Sequence, residues 1–517
     1  MKTVKLSSRL LILIATLWLT LAYCGPLLSA LNDYQTSLIA KIGFLFVIAC
    51  VYAVLFLIAR AFHCLKAAIF MLFTTAAVVT YWMNQYGVVI DPDMLINALE
   101  TDTSEASDLI SFKLILSVLL WGVVPALALI WMPVKPQHWV RTTLLSIGAG
   151  GILLAVAMGV LMTQYSEYSS LFRNHRDVKY RVIPFNIISA SVSVAKAKLA
   201  APETFIALGQ DAVQQSDNDK TPKVMVVIVG ETARADHFSS NGYPRPTTVG
   251  VEQLAKQGEL ISFKNATSCG TATAISVPCM FSFYQAENYD NRARSTSNVL
   301  DVLSNAGIDV SWIENNSGCK NVCDRVDEIT AEDYCDSQQE CFDTQMLEVL
   351  RSKLAIAKQD SIIVLHSMGS HGPAYYKRSP QALKKFLPEC ATTELNQCPV
   401  ETIRNAYDNS LVVTDQLIIG AINTLKQASN IDTSLMYISD HGESLGDNGV
   451  YLHGLPNWMA PDEQRHVPWI LWPAKAWADR PDAAATYPVN HDYLAHSLLG
   501  FFNVKTSLYQ PQLDLAE

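Results

Sequence analysis

Hydrophobic and polar positions divide the chain near residue 162. Before that point lie five apolar stretches, Leu10 to Leu31, Ile42 to Ala59, Ala67 to Met83, Leu114 to Met132 and Thr142 to Met162, separated by polar loops. Each approaches the ~20 residues that carry a helix across a bilayer core, so residues 1–162 are expected to form a transmembrane domain of five helices. The first stretch follows Lys2, Lys5 and Arg9 as a signal peptide would. Its apolar run exceeds the roughly 7–15 residues of a signal core, which favours a retained span.

Beyond residue 162 the pattern becomes that of a polar globular protein. Residues 163–204 mix aromatic, basic and alternating apolar positions, as expected of a connector on a membrane surface. Residues 209–222 (GQDAVQQSDNDKTP) are polar and read as a linker, so 163–222 together connect to a catalytic domain at 223–517. There, KVMVVIVG (223–230), GIDVSWIE (307–314), DSIIVLHSMG (360–369) and TSLMYISD (433–440) are continuous apolar runs of the kind buried in a parallel sheet. Helical stretches such as 296–306 and 401–427 lie between them. This alternation predicts an α/β sandwich with its site at the carboxyl edge of the strands.

Charge adds orientation. Basic residues sit before the first span, between the second and third (Arg60, Lys66) and between the fourth and fifth (Lys135, Arg141), whereas the loop at 84–112 has six acids between Asp91 and Asp108. The positive-inside rule then puts the N-terminus in the cytoplasm and, with five spans, everything after Met162 outside. Cysteine usage agrees. Cys269, Cys279, Cys319, Cys323, Cys335, Cys341, Cys390 and Cys398 all fall in the polar region at short spacings, which suits an oxidising compartment and up to four disulfides between sequence neighbours. A net charge of −10 argues against a nucleic-acid partner.

Three strands run into ionisable residues: Glu231 after VVIVG, His366 and His371 after SIIVL, and Asp440 with His441 after LMYIS. Acids and imidazoles converging on one sheet edge are what a metal with oxygen and nitrogen ligands requires. Taken singly each has a plainer reading: Glu231 could accept amides at a helix N-terminus, His371 and His453 could be exposed loop histidines, and Lys320 a solvated surface lysine. In SCGTATAISVPCMFS (268–282), Thr271 and Thr273 lie between two cysteines. A divalent cation lowers the pKa of a bound oxygen, so either hydroxyl could become a nucleophile without a histidine base. The same threonines could equally form a turn or cap a helix.

With these residues the chain resembles the membrane phosphoethanolamine transferases that modify lipid A, within the alkaline-phosphatase superfamily. The resemblance rests on VGETARADHFSSNGYPR, SCGTATAISVPCMFS, CKNVCDR, HSMGSHGP, YDNSLVVTD and SDHGESLGDNGVYLHGLP, in family order behind five spans. It implies a periplasmic α/β sandwich of alkaline phosphatase/sulfatase type in an inner-membrane protein, here expected to be a monomer. It further implies Thr273 as nucleophile, leaving Thr271 to a turn or to packing, and a zinc site of Glu231, Thr273, Asp440 and His441. His371 and His453 match residues for the phosphoryl group or a second zinc, and Lys320 with Ser317 a substrate contact. Asn97, Thr101 and Glu105 in the 84–112 loop match a head-group contact. The implied donor is phosphatidylethanolamine and the implied acceptor lipid A; a core sugar or protein acceptor, or a phosphoglycerol transferase of the same superfamily, are the competing readings.

Overall fold

The computed structural model describes residues 5–101, 103–135, 138–199, 204–215, 221–289, 291–335, 341–472 and 487–515. The chain divides into two compact units, Met1–Leu95 with Ile110–Ala197, and Ile96–Leu109 with Lys198–Glu517.

Among the described residues of the first unit, four helices are long and apolar enough to cross a membrane: Leu38–Ala61, Leu65–Tyr86, Phe112–Ile130 and Trp139–Thr163. The helices Ser8–Ala22 and Gly25–Asp33 meet at a 49° bend and make a fifth span if counted as one. Pro26, in the first turn of the second of these, fits the break, because proline is tolerated there and not in a helix interior. Leu38, Ile39, Met71, Leu144, Ile147 and Ile152 point outward, the apolar exterior that a lipid-facing surface needs. The connector after Met162 packs against these helices. Tyr168, Leu171, Val178 and Ile183 are buried in the same core, and Glu167 accepts both the backbone N–H (2.6 Å) and the hydroxyl (2.8 Å) of Ser37 at the start of helix Leu38–Ala61.

The second unit is built on an eight-stranded sheet. In chain order its strands are β1 (Lys223–Gly230), β2 (Ile261–Thr267), β3 (Asp309–Glu314), β4 (Asp327–Thr330), β5 (Ser361–His366), β6 (Asp432–Ser439), β7 (His466–Trp472) and β8 (Val489–Asn490). Their order across the sheet is β8-β2-β7-β6-β1-β5-β3-β4. All neighbours are parallel except β7, which runs antiparallel to both β2 and β6. One face packs Met225, Val227 and Val229 of β1 against Val277, Val299, Leu300 and Leu498. Elsewhere in the unit the long helix Val400–Gln427 packs on β6 and on helices Val249–Lys256 and Met346–Ile356. Central strands β1, β5 and β6 are buried along nearly their whole length, which is why they read as unbroken apolar runs.

The acidic loop divides between the units. The sequence pattern places 84–112 with the membrane helices, yet residues 96–109 belong to the second unit. Opposite charges account for this: Glu100 pairs with Arg294 at 2.8 Å and Asp108 pairs with Lys377. Four disulfides join Cys269 to Cys279, Cys319 to Cys323, Cys335 to Cys341 and Cys390 to Cys398, all sequence neighbours.

Candidate active site

The carboxyl edges of β1 and β6 deliver Glu231 and Asp440, with His441 next to it; all three are fully buried. Between them stands Thr273, the first residue of helix Thr273–Met280. Its hydroxyl donates to Glu231 Oε2 at 3.0 Å and lies 3.3 Å from His441 Nε2. The turn after β1 is tight. Ser370 donates its backbone N–H to the Glu231 carbonyl at 3.0 Å. Neighbouring Gly369, at φ +52°, comes so close that a Cβ there would sit 2.6 Å from that carbonyl oxygen, so only glycine fits.

Three possible ligand atoms converge here: one imidazole nitrogen and two carboxylate oxygens. His441 Nδ1 donates to the Gly442 carbonyl at 2.8 Å, which leaves a lone pair on Nε2. That nitrogen is 3.4 Å from both Glu231 Oε1 and Asp440 Oδ2, and among the described residues neither of those oxygens has a hydrogen-bond donor. The remaining carboxylate oxygens are satisfied. Asp440 Oδ1 accepts from the backbone of Thr232 (3.3 Å) and His441 (2.7 Å), and Glu231 Oε2 accepts from Asn316 Nδ2 at 2.8 Å as well as from Thr273. Two buried acceptor oxygens facing a ring lone pair are costly by themselves and are the arrangement a divalent cation resolves. Glu231, Asp440 and His441 thus form a possible metal-binding site.

Burial dominates the electrostatics. It raises the Glu231 carboxyl, with the charge of Asp440 adding to the effect, and pushes Asp440 up to about 6. It lowers the His441 imidazole to about 4, with His453 adding to the effect. Both directions follow from taking the charged forms out of water, which favours a neutral imidazole and neutral carboxyls.

His371 and His453 lie beside this cluster. The rings of His441 and His453 are 4.3 Å apart, and those of His371 and His453 5.3 Å. His453 Nδ1 bonds Glu443 Oε2 at 2.8 Å, and the other Glu443 oxygen accepts from the Tyr375 hydroxyl. Burial pushes the Glu443 carboxyl up to about 7. His441, Glu443 and His453 form a second group able to hold a cation. His366 is set back: its Nδ1 bonds Glu314 at 2.9 Å.

Thr271 points elsewhere, donating to the Leu455 carbonyl at 2.5 Å, while its own carbonyl accepts from Gly454 at 2.7 Å. Those two bonds fasten the threonine loop to the loop carrying His453. Lys320, at φ +52° between its paired cysteines, donates to Ser317 Oγ (3.0 Å), the Ser317 carbonyl (2.7 Å) and the Glu100 carbonyl (3.2 Å). Ser317, Lys320 and the end of helix Pro92–Glu100 are therefore together. Asn97 accepts from the Thr101 hydroxyl through its carbonyl at 2.9 Å; the Glu105 side chain lies outside the described residues. Sequence reasoning passed over Asn316, Glu443 and His491, whose Nδ1 accepts from the Cys269 amide at 3.2 Å. Asn316 directly precedes Ser317 and Glu443 lies two residues after His441, but neither ends a strand in a way that marks it in the sequence.

Residues 223–504 match the family model described as Sulfatase, and residues 47–199 match the one described as Phosphoethanolamine transferase EptA/EptB. The chain is 39% identical over 469 residues to phosphoethanolamine transferase EptA of Escherichia coli (strain K12), covering 87% of this chain and 84% of that protein. It is 40% identical over 459 residues to phosphatidylethanolamine transferase Mcr-1 of Escherichia coli, covering 86% and 84%. The solved structure of the integral membrane protein lipooligosaccharide phosphoethanolamine transferase A from Neisseria meningitidis shares its fold at a TM-score of 0.93 and 32% identity, covering 99% of each chain. With an apolar helical region, a sulfatase-type domain and this degree of identity, the chain belongs to the phosphoethanolamine transferase family and is an enzyme of that class.

Proposed function

We propose that the enzyme moves phosphoethanolamine from phosphatidylethanolamine to a phosphate of lipid A, using Thr273 as nucleophile and passing through a phosphothreonine-type intermediate. The observation that carries this reading is the Thr273 hydroxyl, held 3.0 Å from Glu231 Oε2 beside two carboxylate oxygens that have no donor. The donor lipid appears in the name of the 40% identical relative and a lipooligosaccharide in that of the Neisseria enzyme.

The residues fit zinc. Glu231, Asp440 and His441 supply two oxygens and a nitrogen, Thr273 a fourth donor, and the His441 tautomer is the one a metal needs. When bound there, zinc lowers the pKa of an oxygen ligand and neutralises charge gathering on phosphoryl oxygens. A second ion would find His441, Glu443 and His453.

Glu231 Oε2 already accepts the Thr273 hydroxyl and is placed to take its proton as the threonine oxygen bonds to phosphorus. The bond from phosphorus to the diacylglycerol oxygen breaks, and His371 or His453 supplies that oxygen's proton. In the second half an oxygen of a monoprotonated lipid A phosphate attacks the same phosphorus and gives its proton to the histidine that protonated diacylglycerol, the bond to Thr273 breaks, and Glu231 returns the proton to the threonine oxygen. Lys320 and Ser317, with Asn97, Thr101 and Glu105, hold the ethanolamine-phosphate portion of the donor. Most of the acceleration in such transfers is positional and electrostatic, and holding enzyme, donor and acceptor on one membrane surface raises their effective concentrations.

The catalytic unit acts on the periplasmic side of a bacterial inner membrane, with the N-terminus in the cytoplasm. Masking lipid A phosphates with ethanolamine lowers the binding of cationic peptides such as polymyxin. Mass spectrometry of lipid A from cells with the protein, without it, and with Thr273→Ala tests this reading. A phosphoethanolamine addition is expected only with the unaltered enzyme; its absence there, or its persistence in the variant, overturns the proposal.

A further inference from the structure

Four consecutive residues of helix Val400–Gln427, Tyr407, Asp408, Asn409 and Ser410, are at most 1% exposed, and their side chains hydrogen-bond three separate loops. Asp408 takes His237 Nδ1 at 2.7 Å, Asn409 accepts the amides of Lys385 and Phe386, and the Ser410 hydroxyl donates to Ser370 Oγ at 2.8 Å. Tyr407 reaches the turn that carries Glu231. Its hydroxyl donates to the Thr232 carbonyl at 2.8 Å and accepts from the Arg234 amide at 2.9 Å, so one oxygen closes both ends of the turn.

That turn is strained. Thr232 has φ +51°, a left-handed conformation that a β-branched residue adopts only when its surroundings enforce it. In this conformation the Thr232 amide faces Asp440 Oδ1, while Ala233 donates to Ser439 Oγ at 2.8 Å. The turn therefore holds Glu231 directly and Asp440 through an amide. The Tyr407 ring also meets the Tyr375 ring edge-on at 5.6 Å, and Tyr375 holds Glu443, the partner of His453.

We propose that Tyr407 is a positioning residue for the metal site, its hydroxyl keeping Thr232 left-handed so that Glu231 Oε1 and Asp440 Oδ2 stay aimed at one point. This rests on the reading of Glu231 and Asp440 as metal ligands. Burial keeps the phenol protonated at working pH, so it remains a donor to Thr232. Removing only the hydroxyl leaves a buried amide and a buried carbonyl unpaired, and the turn relaxes toward an ordinary conformation.

The test is a competition titration of zinc into the metal-stripped full chain in detergent, for the unaltered protein, Tyr407→Phe, Thr232→Gly, the double variant and Glu231→Gln. Tyr407→Phe is expected to weaken zinc binding by about tenfold or more, the range found when a partner of a ligand is lost. It should lower kcat while leaving the KM for phosphatidylethanolamine within about twofold, because the phenol touches no substrate. Thr232→Gly in the Tyr407→Phe background should restore zinc affinity, since glycine adopts the left-handed conformation without enforcement. If Glu231→Gln loses zinc while Tyr407→Phe binds it as tightly as the unaltered protein, the proposal is wrong even when the phenylalanine variant melts earlier. If Glu231→Gln also keeps full affinity, the metal-site reading itself fails.

Discussion

Glu231 Oε1 and His441 Nε2 lie 3.4 Å apart, while His441 Nδ1 donates to the Gly442 carbonyl. On the proposed reading both atoms are ligands of one zinc ion. Dialysis against a chelator is therefore expected to abolish transfer, and added zinc to restore it. Asp440→Asn should weaken zinc binding beyond the roughly 10–100-fold typical of a residue that only supports a ligand. A chelated enzyme with full activity would contradict this.

The two threonines of the loop at 268–282 differ in their partners, and on the proposed mechanism their variants should differ accordingly. Thr273→Ala removes the attacking oxygen and is expected to reduce turnover to background, whereas Thr273→Ser, which keeps a hydroxyl, retains part of it. Thr271→Val removes one hydrogen bond to the Leu455 carbonyl, so about 1–3 kcal/mol of stability should be lost with the chemistry intact. Equal losses of kcat in Thr271→Val and Thr273→Ala would refute the distinction.

Glu100 and Arg294 pair at 2.8 Å, and the Arg294 guanidinium also donates to the Ala274 carbonyl, next to Thr273. Both side chains are partly exposed, so a double-mutant cycle of Glu100→Gln and Arg294→Gln should show a coupling of about 0.5–1 kcal/mol. In kinetics Glu100→Gln is expected to raise the KM for the donor, since the side-chain pair with Arg294 fixes the segment whose Glu100 backbone carbonyl accepts from Lys320. An additive cycle with unchanged KM would remove this link.

His496 supplies a pH test away from the metal ligands. Burial lowers its pKa to about 4, and its Nδ1 accepts from the Gln510 amide at 3.2 Å. The unfolded chain binds a proton near the ordinary value of about 6.5, so it holds more protons than the native state between about 6.5 and 4. Stability attributable to this residue is thus complete above about 6.5 and is lost as pH falls toward 4. His496→Gln should show a smaller drop in melting temperature between about pH 7.5 and pH 5 than the unaltered protein. An identical drop would show that His496 does not titrate this way.

The central sheet was legible because β1, β5 and β6 are covered on both faces and need apolar residues at every position. Edge strand β4 (DEIT) is mostly exposed and carries no such run. The antiparallel β7 opens with His466 and contains Pro468, which hid it among loops. Glu231, Asp440 and His441 were legible for a related reason: each directly follows a recognisable strand. Asn316 and Tyr407 were not, because their importance lies in contacts with Glu231 and Thr232 that only the folded chain makes. The loop at 84–112 showed its acidity but not its partners, since Arg294 and Lys377 are far along the chain.

The most direct test of the account is to trap the enzyme between its two half-reactions. The purified full chain is incubated with phosphatidylethanolamine and no acceptor, quenched in acid, digested and examined by tandem mass spectrometry. The account predicts that the peptide containing Thr273 gains the mass of one phosphoethanolamine group, with fragmentation placing it on Thr273, and that lipid A then removes it. An adduct on another residue, or diacylglycerol release with every threonine unmodified, would contradict it.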